Sequence, residues 1–319
     1  MPVVTWLSPG EGVQSPVRFK TRLRAWWEGY DLSVLKRLIE SGELTAADPE
    51  LSEALLDLGD EPLDNNGKPL WSAERVAVAE QIWGQDFLSP GGIEHTTYLV
   101  KPFGINPSMS ILDLNAGLGG VARTIARDYK AWVTGLEPSP LLAKMGEERS
   151  IKEKLSKQAP VMHYDPDNIK LDKRYDGIFA KEAFFTFGNK EKLFDEIAAH
   201  IKENGQFLFT DYCIEEPAAL PKLDGWMQKE PVTPVLWGVG QIIKALKARK
   251  FDVRVQEDIT PLQRQLILGS LGSFLHHLDA HKLNAPTKLA VLDEVELWAR
   301  RMAAFDQGLK VYRFFSIRR

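Results

Sequence analysis

Three carboxylates, Asp113, Glu137 and Asp165, each stand at or just past the end of a short apolar run, where a strand would give way to a turn. Carboxylates in that place can accept hydrogen bonds from a polar ligand lying over the strand ends. The first belongs to Ile111-Leu112-Asp113-Leu114-Asn115-Ala116-Gly117-Leu118-Gly119-Gly120, an apolar run leading through an aspartate into a glycine-rich turn. Glycines have no Cβ, so such a turn lets the backbone close on a ligand. The aspartate two residues before the turn points to an adenosyl ligand whose polar groups need an acceptor. Glu137 stands twenty residues beyond Gly117, after Ala131-Trp132-Val133-Thr134-Gly135-Leu136, where a carboxylate would meet a ribose diol. Asp165, in Tyr164-Asp165-Pro166-Asp167-Asn168, suits an adenine amine. The first glycine position of the turn holds Asn115, a residue that tolerates left-handed backbone better than most.

These side chains need strands that end together with helices packed behind them. From Leu70 onward the patterns predict helices over Trp71–Trp83, Gly119–Asp128, Pro140–Ser156, Lys190–Lys202, Leu236–Arg249, Leu262–Leu278 and Leu289–Phe305. Strands are predicted over Ser108–Leu114, Ala131–Leu136, Val161–Tyr164, Tyr175–Ala180, Gln206–Tyr212, Asp252–Gln256 and Leu309–Ile317. Alternation of this kind indicates a parallel sheet covered on both faces, and the closing long helix and strand suggest an antiparallel edge. Asp64-Asn65-Asn66-Gly67-Lys68-Pro69 reads as a linker, which divides the chain into a helical extension, 1–69, and a main domain, 70–319. Within the extension, Arg18, Lys20, Arg22 and Arg24 run into Trp26 and Trp27. Residues 18–30 read either as a surface for anionic lipid or a protein partner, or as a helix laid on the main domain with its indoles buried.

Gly117-Leu118-Gly119-Gly120-Val121-Ala122 satisfies G-x-G-x-x-A, which alone would suit a nicotinamide dinucleotide. Asp113 argues against that ligand, because a carboxylate at the strand end repels a pyrophosphate. The later block Ile201 to Tyr212, a helix–turn–strand pattern, adds a second marker. With Trp83 to Gly92, Tyr175 to Glu182, Gly205 to Cys213, Trp237 to Lys247 and Phe251 to Val253, the ordered set spans some three-quarters of the chain. In this order they resemble the class I S-adenosylmethionine-dependent methyltransferases, and most of all the small-molecule branch of phosphoethanolamine, sarcosine and glycine-betaine-type N-methyltransferases.

The resemblance implies an α/β fold, a Rossmann-like seven-stranded sheet that is mostly parallel with an antiparallel C-terminal edge. It implies S-adenosylmethionine as cofactor, with Asp113 and Gly117 at its methionine end and Asn115 and Ala116 in the turn. Glu137 would accept from the ribose, Pro138 would pack on the adenine, and Asp165 and Pro166 would hold the adenine edge. Phe87 and Ser89 fall in the segment that covers the cofactor, and Lys181 falls where related enzymes often carry Arg. The phosphoethanolamine branch uses a Tyr–His pair, whose places fall at Ala79 and Thr186.

Methyl transfer from a sulfonium needs alignment in a dry pocket, and a base only when the nucleophile arrives protonated. Glu182 and Tyr212 are the candidate catalytic residues, and Phe184, Phe185, Thr186 and Trp237 the candidate acceptor contacts. The rings would receive a cationic amine through their faces, or serve only as core. His95 and His163 read as structural, and no spacing suggests a metal.

Composition sets the outer bounds. Lys+Arg 40 against Asp+Glu 44 gives a formal charge of -4, with no bias toward nucleic acid. A single cysteine, Cys213, leaves no internal disulfide framework. Without a transmembrane-length apolar run or a secretion-signal pattern, a cytoplasmic protein is expected. The expected activity is methyl transfer to a small amine-like molecule or a lipid. Three other readings remain: a catalytically degenerate cofactor-binding or scaffolding protein, a nicotinamide-dependent oxidoreductase, and cyclopropane synthesis on lipid acyl chains.

Overall fold

The computed structural model describes residues 61–279 and 282–319. The helical extension proposed for residues 1–69, with its basic and indole side chains at 18–30, therefore lies outside the described residues up to residue 60. Residues 61–69 bind the main body directly: the Asn65 N–H donates to the Pro231 carbonyl over 2.8 Å, and Ser139 Oγ bonds Glu61 at 2.7 Å.

In chain order the elements are α1 (Ala73–Trp83), α2 (Gly92–Val100), β1 (Ser110–Leu114), α3 (Gly120–Tyr129), β2 (Trp132–Glu137) and α4 (Pro140–Lys152). They continue with β3 (Val161–His163), β4 (Tyr175–Lys181), α5 (Lys190–His200), β5 (Ile201–Ile214), α6 (Leu220–Met227), β6 (Trp237–Gly238) and α7 (Val239–Ala248). β7 (Phe251–Asp258), α8 (Thr260–His277), α9 (Ala285–Asp306) and β8 (Lys310–Arg318) complete the chain. The sheet runs β3-β2-β1-β4-β5-β8-β7, and the two-residue β6 pairs with β5 off that path. β8 is antiparallel to both neighbours, and the remaining pairs are parallel. The expected seven strands are thus present, with β6 as an eighth short addition.

Strand β5 shows why the sheet is covered on both faces. Leu208 and Tyr212 join one apolar cluster, whereas Phe207, Phe209 and Cys213 join the other, as the two-residue period of a strand requires. The first cluster brings in α1, α2, α8 and α9, and the second brings in α5 and α7.

Strand order reverses between β1, which leads outward through β2 to β3, and β4, which leads outward the other way. In an open α/β sheet the crevice at the carboxyl ends of such strands is where a ligand sits. At that crevice the chain must turn sharply from β1 into α3. Gly119, with φ 75°, caps α3, and a Cβ there would lie 2.6 Å from Val161. At Gly120 a Cβ would lie 2.5 Å from the Asp86 carbonyl oxygen, so the segment after α1 rests directly on the start of α3.

Candidate active site

The turn after β1 is built almost entirely from backbone. Asn115 takes φ 64°, and Gly117 takes φ 56°. The left-handed form costs Asn less than other non-glycine residues, and its side-chain Oδ1 accepts from the Tyr164 hydroxyl at 3.2 Å. The Ala116 N–H donates to the Leu136 carbonyl at 3.0 Å, which fastens the turn to β2. Glu137, at the end of β2, then closes the loop. Its carboxylate accepts from the Gly117 N–H at 2.7 Å and from the Ser139 N–H at 2.9 Å. Burial pushes its pKa up to about 7, against the pull of those two N–H groups.

Asp113 sits one strand over, 2% exposed. Its Oδ2 is buried and has no hydrogen-bond partner among the described residues. Burial first, and the Glu137 charge second, hold its carboxyl well above the usual range, with Lys181 opposing them. Buried polar atoms are nearly always bonded, so an orphan acceptor beside a crevice is a place for a ligand's ammonium or hydroxyl. This is the feature expected of a cofactor with a cationic methionine end, and the residues present fit it.

The crevice itself is a cleft of about 280 Å³. Leu88, Ser89, Asn115, Gly117, Glu137 and Pro138 form one wall. Lys181, Glu182, Phe185 and Thr186 form the wall beyond β4. Lys181 Nζ donates to Ser89 Oγ at 3.0 Å and to the Pro90 carbonyl, so it ties the covering segment down. Glu182 holds φ 46°, fixed by its N–H on the Thr210 carbonyl at 2.7 Å. Its Oε1 accepts from Thr210 Oγ1 at 3.2 Å, whereas its Oε2 is buried with no partner among the described residues.

Several residues singled out from the sequence stand away from this cleft. Asp165 is exposed and spends its carboxylate on the Asp167 N–H, 3.0 Å away, capping a local turn, and Pro166 beside it is also exposed. Phe87 and Phe184 are core residues, the latter wedged among Phe194, Phe207 and Phe209. Ala116 packs under the turn against Ala143 and Val161. Trp237 lies edge-on to Phe194 with ring centres 5.8 Å apart. Tyr212 lies behind Phe185, 4.9 Å between ring centres, and burial pushes its phenol up so that it stays protonated. Alternation along β5 puts Tyr212 inward, where it can brace Phe185. Ala79 is wholly buried in α1, whereas Thr186 lines the cleft.

The outer part of the cleft comes from residues the sequence did not single out. Arg301 on α9 pairs with Glu230 at 2.7 Å, and Arg75 on α1 pairs with Glu294 at 2.6 Å. Both carboxylates are held a second time by indoles, Trp226 Nε1 on Glu230 at 2.7 Å and Trp298 Nε1 on Glu294 at 3.1 Å. The Arg301 guanidinium lies 4.7 Å from the Trp298 ring centre, 5.4 Å from Tyr212 and 5.6 Å from Phe185. Rings expected to receive a cationic ligand therefore already face a cation of the chain itself. Glu294, Trp298 and Arg301 recur at helical spacing on one face of α9, and that was the available signal.

Comparison with known proteins agrees with this geometry. The family model described as "Methyltransferase domain" matches residues 93–253. The chain is similar to a phosphoethanolamine N-methyltransferase of Plasmodium falciparum, 28% identical over 262 residues, covering 80% of this chain and 94% of that one. It is 30% identical over 250 residues to phosphoethanolamine N-methyltransferase 2 of Caenorhabditis elegans, covering 75% of this chain and 54% of the relative. Among solved structures it resembles phosphoethanolamine N-methyltransferase 2 of Haemonchus contortus in complex with S-adenosyl-L-methionine. That match has TM-score 0.65 and 21% identity, over 76% of this chain and 56% of the other. The chain thus spans about half the length of the two nematode proteins.

Proposed function

The chain belongs to the methyltransferase family, and we propose that it uses its cleft to pass the methyl group of S-adenosylmethionine to the nitrogen of a small amine. The cofactor supplies a methyl on a sulfonium with a neutral leaving group, so the protein's work is binding, alignment and exclusion of water. Asp113 Oδ2, buried and without a hydrogen-bond partner among the described residues, is the observation that carries the cofactor half of this reading. Asp113 would hold the cationic methionine end and Glu137 the ribose hydroxyls, with Pro138 on the adenine and Ser89 over the top. Asn115, Ala116 and Gly117 shape the floor.

On the acceptor side, Phe185 and Thr186 would line the approach, and Glu182 Oε2 would orient the amine and take up its proton, a role its buried, unpartnered state among the described residues supports. Tyr212 acts by bracing Phe185 rather than by touching the acceptor. Relatives named as phosphoethanolamine N-methyltransferases support an amine in preference to a lipid acyl chain. No helix among the described residues is long and apolar enough to cross a membrane, and a cytoplasmic location is part of the same proposal. Contact of residues 18–30 with a membrane or partner protein stands as a separate proposal.

Differential scanning tests the reading. S-adenosylhomocysteine should raise the melting temperature and NADH should not, because only a bound ligand shifts the folding equilibrium. Stabilisation by NADH alone would replace this reading with the oxidoreductase one. Binding of S-adenosylhomocysteine with no product from any amine would favour a scaffolding protein.

A further inference from the structure

We propose that the acceptor is a cationic amine carrying no phosphate, and that Glu182 is the residue that selects it. The proposal rests on the methyltransferase reading and concerns which amine that cleft admits.

Among the described residues, the three cations that line the cleft are Arg75, Arg301 and Lys181. Each arginine is matched by a carboxylate that is itself only 1% exposed, Glu294 for Arg75 and Glu230 for Arg301. Each of those carboxylates also accepts from an indole N–H, Trp226 on Glu230 and Trp298 on Glu294. Lys181 spends its ammonium on Ser89 Oγ and the Pro90 carbonyl, with the Asp113 and Glu182 charges close by. Among the described residues, a phosphate dianion entering this space meets cations already paired or hydrogen-bonded, and the carboxylates Glu182, Glu230 and Glu294 besides. Placing two negative charges against those groups would be disfavoured.

A cation meets the opposite situation. Glu182 Oε2 is a buried acceptor without a donor among the described residues, so an ammonium completes it. Trp298, Tyr212 and Phe185 already meet the Arg301 guanidinium, so the carboxylate rather than these rings is the recognition element for the amine. Glu182 also stands directly after Lys181, at the end of β4, on the wall facing the turn that holds the cofactor. The group that recognises the ammonium can thereby also accept its proton before attack.

Initial rates of S-adenosylhomocysteine formation should be compared for ethanolamine, N-methylethanolamine and dimethylethanolamine against the phosphate ester of each. The free amines are expected to have kcat/KM at least about tenfold higher than their esters. In Glu182→Gln the KM for the free amine should rise about tenfold to a hundredfold, the size of a lost charge-assisted hydrogen bond. S-adenosylhomocysteine affinity, measured by calorimetry on both proteins, separates the two claims. If that ligand fails to bind wild type, the methyltransferase reading itself falls. If it binds, a phosphate ester used as well as or better than its amine overturns the proposal. So does an unchanged KM in the variant, or a loss confined to cofactor affinity.

Discussion

Glu137 should make the affinity for S-adenosylhomocysteine rise with pH. Its carboxyl is buried, and burial raises its pKa to about 7. Only the ionised form is acceptor on both oxygens and can take a ribose hydroxyl while keeping the Gly117 and Ser139 N–H groups. With that pKa about a tenth of the protein is ionised at pH 6 and about nine-tenths at pH 8, so apparent affinity should climb nearly tenfold, roughly 1.3 kcal/mol. Binding should release a fraction of a proton near neutrality, which calorimetry in two buffers of different ionisation enthalpy reads directly. The ligand-free protein should behave in the opposite sense. A carboxyl raised from 4.5 to about 7 contributes stability that is fully present below pH 4.5 and lost as pH rises through about 7. That gap corresponds to roughly 3 kcal/mol at most. Asp113 is raised too and pushes in the same direction, so the comparison must be with Glu137→Gln, which removes one titration and leaves the other. Affinity that is flat between pH 6 and pH 8, or an equal slope in the variant, would refute the assignment of Glu137 to the ligand.

Other consequences can be checked on the folded protein alone. Gly120→Ala places a Cβ 2.5 Å from the Asp86 carbonyl oxygen and should lower stability by about 1–3 kcal/mol in denaturant titrations, despite alanine's better helix propensity. A variant as stable as wild type would show that the covering segment does not rest on α3. Glu230→Gln leaves the Arg301 guanidinium without its counter-charge and should cost about 3 kcal/mol in denaturant titrations. Cys213, buried in the second apolar cluster with its thiol pushed up by burial, should react with a thiol reagent only at the rate of unfolding. Fast labelling of the native protein would contradict the packing of β5.

The turn after β1 and its tie to Glu137 were legible because they are nearly contiguous in sequence. Asp113 and Glu137 lie on two adjacent strands whose register pairs Asp113 with Gly135, so local spacing already describes that turn. Element boundaries were read less well where tertiary contacts override propensity. α2 carries two threonines and was not anticipated; it is held by buried Leu99 and Val100 and by Thr96 Oγ1 on the Gly92 carbonyl at 2.9 Å. α6 was obscured by Pro221 at its start and Gly225 within it. The helix expected to continue to Lys202 stops at His200, because Ile201 pairs with Tyr175 and enters the sheet. Asp165 illustrates a different difficulty: a strand-end aspartate serves a ligand or its own backbone equally well by sequence, and here it caps the turn at Asp167.

The outer part of the cleft could not be read locally, since its ion pairs come from α1, the stretch after α6 and α9. Arg75 meets Glu294 across 219 residues, and Arg301 meets Glu230 across 71. Each side chain alone looks like an ordinary charge on an amphipathic helix, and only the fold turns them into paired, desolvated groups. This separation has a physical consequence. The turn, Asp113 and Glu137 hang on β1 and β2, whereas the arginine–carboxylate pairs hang on α1, α9 and the stretch after α6, so the outer cleft can change without disturbing that turn. Asn115 fits the same logic. Its φ of 64° keeps the backbone path a glycine would take, and its side chain is used by Tyr164, so the turn is intact despite the substitution. Exchanging Glu182, Glu230, Glu294 and the two arginines should therefore move acceptor preference while S-adenosylhomocysteine affinity stays put.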